Sequence, residues 1–508
     1  MAKSSISELA PEEARAFVQG HHHLFIGGER VETGRNIDVM NPATGDTLTE
    51  VPLAGNVEVD AAVAAARRAF QGYRGLSGSQ RAKLLWALST LIDEHAAELA
   101  AIEVLDNGKP LGEAVAVDVA LAAEIFRYYA GCASTLEGAI TSNSVPGMLS
   151  LVHQEPIGVV AALTPWNFPL LETSYKLGPS LAAGCTVVLK PSELAPLSTL
   201  RLMDLIERAG FAKGVINVVI GGPDVGDLLV RHAGVDKVAF TGQTETGRII
   251  LKAAAEDLKP VSLELGGKSP NIVFPDADLE AATGGVFGGI FFNQGQACVA
   301  GSRLLVHASI ADQLVASVVK RAKSVRLGEG FQPTTDMGPL ISAAHRERVL
   351  GFVDDAVSEG AILATGGTKA NVEGLSGGYF ASPTVLTGVR RNMRVAQEEV
   401  FGPVLSVVTW EDEDELVDIA NDVRYGIAAG IWTSDTAKAM ALASRLEVGT
   451  AWINTYGMFD VSVPFGGRKQ SGGGRELGHA ALTPYLVAKS VWVNLDARPV
   501  NSGQSIGK

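Results

Sequence analysis

Between residues 157 and 265, short apolar runs alternate with stretches whose apolar residues recur every three or four positions. The runs 157–163, 186–189, 216–220, 237–241 and 261–265 have the length and β-branched content of buried strands. Segments 170–183, 197–209, 224–232 and 246–255 between them carry helical spacing. A strand–helix–strand series of this kind predicts a mostly parallel sheet with helices on its faces. Ligands of such sheets lie beyond the carboxyl ends of the strands. A second alternation follows. Helices are expected at 279–293, 311–325, 343–358, 413–422 and 436–446, and strands at 303–307, 404–410, 428–432 and 450–454. Ahead of both, residues 24–54 read as short strands and turns. Helices are then expected over 57–70, capped by Asn56, over 81–105 and over 111–132. The tail, 486–493, alternates like a strand and has no partner nearby in sequence. It would pair with another chain or with a hairpin around 139–152.

Composition narrows the class. With 46% hydrophobic and 19% charged residues over 508 positions, the chain is a folded protein of two or more domains. A formal charge of -14 argues against nucleic acid or an anionic membrane as partner. Cys132, Cys185 and Cys298 are too scattered for a disulfide framework or a metal motif, which suits a reducing interior. The charged start lacks an apolar signal core, and no run is long enough to span a membrane; the expected location is the cytoplasm. His21, His22 and His23 read as a solvated turn rather than a metal site, and no metal is expected.

Candidate chemistry collects after the expected strands. Cys298 sits in FFNQGQACVAGSR among amides and glycines, where a backbone can approach a ligand closely. The segment alone leaves two readings open: a thiolate nucleophile or a small buried residue. Asn167, fenced by rings and prolines in TPWNFP, offers a rigid amide for an oxyanion. Lys190 and Glu193 suit the hydroxyls of a ribose. Gly222, Gly226 and the stretch FTGQTETG (Thr241, Gly242, Gln243) resemble phosphate-receiving turns, although neither matches GxGxxG. Glu264, between leucines and beside a glycine pair, has the surroundings of a general base with a raised pKa. Glu399 and Phe401 could hold a sugar and a flat heterocycle.

Seven motifs then occur in one order: TPWNFP, LKPSE, FTGxTxxG, LELGGK, FNQGQACVAGSR, EEVFGPV and PFGGxKQSGxGRELG. Over residues 24–493 the chain resembles the NAD(P)-dependent aldehyde dehydrogenase superfamily. The resemblance implies an α/β fold with a Rossmann-type cofactor domain (1–137 and 153–266) and a second α/β catalytic domain (267–470). It also implies a small β oligomerisation element (138–152 and 480–498) and a homodimer or homotetramer. Cys298 resembles the family's nucleophile, Asn167 and the Cys298 N–H its oxyanion hole, and Glu264 the base that hydrolyses a thioester. Lys176 and Glu476 match a proton path. Lys190 and Glu193 match the adenosine-ribose clamp, Glu399 and Phe401 the nicotinamide-side clamp, and Trp166, Gly222, Gly226 and Leu265 the cofactor pocket. Gln243 departs from the commoner Ser, and Arg468 stands where an aromatic residue or Met is frequent.

The implied activity is oxidation of an aldehyde to its acid with NAD and water. Glu193 favours NAD by repelling a 2′-phosphate, while Lys190 and Ser192 leave room for NADP. Members that acylate coenzyme A usually lack the Glu of LELGGK, so that reaction is the alternative, with a non-catalytic protein keeping the fold as the second. By motif position Phe168, Tyr175, Phe292 and Phe459 line the substrate tunnel, which favours an apolar or aromatic aldehyde. Glu172 falls near that wall, where it faces either a cationic or hydroxylated substrate or solvent; solvent is the expectation.

Overall fold

The computed structural model describes residues 7–496; residues 1–6 and 497–498 of the expected segments lie outside them. Five parallel strands form the centre of an eight-stranded sheet. They are Ile216–Val218, Thr186–Lys190, Val159–Leu163, Lys237–Thr241 and Val261–Glu264, in that spatial order. In chain order this is 3-2-1-4-5, so the winding reverses between Val159–Leu163 and Lys237–Thr241. A crevice opens at that reversal because the crossover helices leave in opposite directions. Nearly every residue of the five strands is buried, which is why they read as continuous apolar runs. The glycine loop closes the far edge: Gly472–Gly473 pairs antiparallel with Leu263 and Glu264.

A second sheet of seven strands runs Ile362–Thr365, Thr384–Thr387, Val404–Trp410, Arg303–His307, Pro270–Val273, Ala428–Trp432 and Thr450–Ile453. Only the first of these is antiparallel to its neighbour. Pro270–Val273 is central, yet sequence patterning misses it. It has four residues, opens on proline and follows a glycine pair, and each of these features argues against a strand. Its position matters for the site. The chain leaves the first sheet at Glu264 and enters the second at Pro270, so a few residues join the two.

The anticipated helices and strands of both alternations are present with ends shifted by a few residues; the helix expected over 279–293, for example, stops at Phe291. Other departures have local causes. The helix Asn56–Arg74 is capped at Gly55, whose N–H meets the Glu58 carboxylate at 2.7 Å, so Asn56 is its first residue and not its cap. The expected helix 81–105 is two, Gly78–Glu94 and Ala96–Asn107, broken at His95, which contacts Glu98 at 2.9 Å and Arg208 at 2.6 Å. The region 111–132 contains a π-helical turn, Ala114–Val119, before the helix Ala120–Ser134. That wider turn carries the fully buried Asp118. The tail strand Leu486–Asn494 pairs along its whole length with Met148–Pro156 of the same chain, and Ala139–Thr141 completes a three-stranded sheet. Among the described residues, no helix is long and apolar enough to cross a membrane.

Candidate active site

The crevice at the strand reversal is a cleft with about 860 Å³ of empty space. Trp166 and Asn167 enter it from the turn after Val159–Leu163, and Thr241, Gly242 and Gln243 from the turn after Lys237–Thr241. Glu264 and Leu265 come from the end of Val261–Glu264, Cys298 from the loop before Arg303–His307, and Glu399 and Phe401 from the loop before Val404–Trp410. Ten of the residues singled out in the sequence therefore share one cavity.

Cys298 follows an unusual turn. Asn293, Gln294 and Gly295 all have left-handed backbones, with φ of 46°, 57° and 70°. Such runs are costly for side-chain-bearing residues and persist only when surroundings hold them. Here the Asn293 N–H donates to Glu113 at 3.1 Å, and its Nδ2 donates to the carbonyls of Asn167 (3.0 Å) and Gln296 (3.2 Å). Burial, then Glu172, Glu399 and Glu264, push the Cys298 thiol well above its ordinary pKa, while the Val299 N–H opposes them. The thiol needs a base before it can react.

Glu264 supplies a candidate. It is 4% exposed and neither carboxyl oxygen has a hydrogen-bond partner. Burial and Glu476 raise its pKa well above the carboxylate range, with Lys176 pulling the other way. The glycine pair behind it permits a close approach: a Cβ on Gly267 would lie 2.2 Å from the Cys298 carbonyl oxygen, and one on Gly266 would lie 2.2 Å from Glu399 Oε2. The Gly267 N–H donates to Glu399 Oε1 at 2.8 Å, and burial raises the Glu399 pKa to about 7.

Asn167 is held from several sides. Its backbone carbonyl accepts from Lys109 Nζ at 3.0 Å and Asn293 Nδ2 at 3.0 Å. Asn107 Nδ2 donates to the adjacent Trp166 carbonyl at 2.8 Å. Lys109 is fully buried and donates to Asp118 at 2.5 Å. The Asn167 amide gives one N–H to the Gln296 carbonyl at 3.0 Å, which leaves the second for a ligand.

Beneath the cleft, Lys176 is hydrogen-bonded to Glu476; both are buried and neither borders the cavity. Lys190 and Glu193 approach to 3.6 Å beyond Thr186–Lys190, and burial lowers the Lys190 pKa. A Cβ on Gly226 would lie 3.9 Å from the Lys190 side chain, so that glycine packs beside Lys190, and Gly222 caps the helix that carries Gly226. These four residues sit outside the cavity, along the same carboxyl edge. The four rings do not border it either. Phe168 stacks on Phe292 at 6.0 Å with Lys109 Nζ 4.3 Å from the Phe168 centroid, and Phe459 packs edge-on against Trp452 and Phe465. Tyr175 is buried in the core. Glu172 does not reach solvent: it is 6% exposed, lines the cleft, and its Oε2 has no partner. Burial raises its pKa to about 7, with Lys176 lowering and Glu476 raising it. His21 and His23 meet Glu32 at 3.2 and 3.6 Å on the surface, away from this cavity.

Sequence reading missed His345, Arg348, Arg424 and Tyr425, which also line the cleft. His345 packs edge-on against Trp166 at 5.3 Å, and its Nε2–H donates to the Phe401 carbonyl at 2.7 Å. Arg348 donates to the carbonyls of Val400 (2.6 Å) and Glu399 (2.9 Å) and so fixes their loop. The only advance signal is their i, i+3 spacing at the start of the helix Ala343–Ser358, which is indistinguishable from a solvated face.

A 3-2-1-4-5 sheet whose cleft gathers a thiol, a carboxyl and a side-chain amide describes a dinucleotide-binding enzyme class with a candidate sulfur nucleophile. The family model described as the aldehyde dehydrogenase family matches residues 30–491, and the chain belongs to that family. It is 45% identical to a betaine aldehyde dehydrogenase of Bacillus subtilis (strain 168), over 94% of this chain and 98% of the relative. An NAD+ complex of an aldehyde dehydrogenase from Bacillus cereus superposes with a TM-score of 0.93 at 45% identity, over 96% of this chain and 99% of the other. A betaine aldehyde dehydrogenase from Staphylococcus aureus in complex with NAD+ superposes with a TM-score of 0.94 at 41% identity, over 97% and 99%.

Proposed function

We propose that this chain oxidises an aldehyde to the carboxylic acid with NAD and water, Cys298 carrying the acyl group. The observation behind the reading is that Cys298, Glu264 with both oxygens unpartnered, and Asn167 border one cleft at the strand reversal. The residues suit a dinucleotide. Thr241 Oγ1 is buried without a partner, the N-terminus of the helix Thr244–Ala255 follows it, and Trp166, His345 and Phe401 form an aromatic wall. Lys190 and Glu193 would hold the adenosine ribose, with Gly222 and Gly226 giving the pyrophosphate room, and Glu399 the other ribose. Glu193 favours NAD over NADP.

Glu264 takes the Cys298 thiol proton, the sulfur adds to the carbonyl carbon, and the oxyanion receives the free Asn167 N–H and the Cys298 backbone N–H. The chemistry a bound nicotinamide supplies is that of a hydride acceptor. Loss of hydride from the adduct carbon leaves a thioester on Cys298. Glu264 takes a proton from water, the resulting hydroxide attacks the thioester carbon, and the C–S bond breaks to release the acid. Lys176 and Glu476, whose charges act on the Glu264 carboxyl, are read as the path that carries the thiol proton away before Glu264 accepts one from water. Phe168, Tyr175, Phe292 and Phe459 are read as an apolar approach to the sulfur. The first sheet serves as the cofactor domain, the second as the catalytic domain, and the three-stranded sheet as the oligomer contact. Following NADH absorbance with a panel of aldehydes tests the reading. Acyl-coenzyme A as the main product when coenzyme A is added would overturn the choice of water.

A further inference from the structure

We propose that Glu172 selects aldehydes that carry a protonated amine a short chain from the carbonyl. This rests on the dehydrogenase reading and names its substrate class. Glu172 lies on the helix Pro169–Ala183, with Phe168 at the N-cap four residues before it and Tyr175 three after. Phe168 lies outside the helix proper and Tyr175 in the core, so of the three only the Glu172 carboxyl borders the cleft that contains Cys298 and Asn167.

A carboxylate with 6% exposure and an unpartnered oxygen is an unmet demand for charge and for a hydrogen-bond donor. Among the described residues no donor lies within hydrogen-bond distance of Glu172 Oε2, and Thr241 and Lys176 only partly offset the cost of its burial. The nearest ammonium on the same helix, Lys176, is hydrogen-bonded to Glu476. The second carboxyl of the cleft near Cys298, Glu264, has both oxygens unpartnered as well, while the cleft's arginines, Arg348 and Arg424, are hydrogen-bonded to the Glu399 and Val400 carbonyls and to Tyr425 and Glu245. An alcohol would bring a donor without charge, and a quaternary ammonium would bring charge without a donor. A protonated amine brings both. Because Glu172 and the sulfur share one cavity, the ammonium and the reacting carbonyl belong to one small molecule.

The test compares 3-aminopropanal, 3-hydroxypropanal and butanal, which match in length and differ in the terminal group. The native enzyme should show kcat/KM for 3-aminopropanal at least about tenfold above butanal, with 3-hydroxypropanal near butanal. In Glu172→Gln the ratio of 3-aminopropanal to butanal should fall by about tenfold or more. Propylammonium should inhibit butanal oxidation by the native enzyme competitively where 1-propanol does not, an arm that does not depend on the variant folding. A native preference for butanal, equal use of the amino and hydroxy aldehydes, an unchanged ratio in Glu172→Gln, or no inhibition by propylammonium overturns the proposal. If none of the three aldehydes, nor benzaldehyde, yields NADH, the dehydrogenase reading itself fails, and this proposal with it.

Discussion

At the scale of single residues, the site is a set of groups kept short of partners. The Cys298 thiol and the Glu264 carboxyl both have their pKa values pushed up by burial and by neighbouring acids. A base acts only when deprotonated, so thioester hydrolysis should go on speeding up as pH is raised past the usual carboxylate range instead of levelling off within it. Rapid-quench measurement of acid release across and above that range checks this. Glu264→Gln should leave an acyl-enzyme that accumulates during turnover; intact-protein mass spectrometry finding only free enzyme would count against that base. Glu172 makes a second pH statement. Its folded pKa, about 7, lies above the ordinary 4.5, so its contribution to stability is present below about 4.5 and lost as pH rises through about 7. Glu172→Gln should therefore match the native enzyme in urea denaturation at pH about 5. At pH about 8 it should be the more stable by up to roughly 3 kcal/mol.

At the scale of elements, Asn167, the oxyanion donor proposed above, depends on a helix end and a π-turn far from it in sequence. Asp118 holds Lys109, and Lys109 holds the Asn167 carbonyl. Lys109→Met leaves Asp118 and Glu103 buried without a cation, and should cost about 3–5 kcal/mol in chemical denaturation. What survives folded should lose kcat more than it gains KM, because the amide aimed at the oxyanion is no longer fixed. None of this was legible in the chain. Lys109 follows Asn107-Gly108, which reads only as a helix stop, and a π-turn has no periodicity of its own. By contrast, Cys298, Glu264 and Asn167 could be found because each stands out from an apolar or glycine-rich context after a strand. The helices on the sheet faces were readable for a similar reason: burial on one side leaves a 3.6-residue signature. Pro270–Val273 hid because its burial comes from both neighbours, which erases alternation. Glu172 was misjudged because helical position gives a direction around the axis and says nothing about what lies opposite.

Over the whole molecule, two parallel sheets meet along a seam, and a third, small antiparallel sheet stands apart. Its residues Ile140, Val487 and Trp492 are exposed, at 75%, 48% and 51%, together with Leu495 at the strand's end. Apolar side chains displayed on a short sheet fit a contact with another copy. Ile140→Glu combined with Trp492→Glu should lower the molar mass in solution while far-UV circular dichroism stays unchanged; light scattering after size exclusion measures it. An unaltered mass would remove this sheet from the assembly.

The contact of Gly267 with the Cys298 carbonyl also limits how this enzyme can be re-engineered. Backbone approaches backbone there, with no side chain to shorten or lengthen, so any residue larger than glycine at 267 would push the loop that carries Cys298 out of place. Redesign for bulkier substrates has to work at the mouth and walls of the cavity and leave this glycine alone.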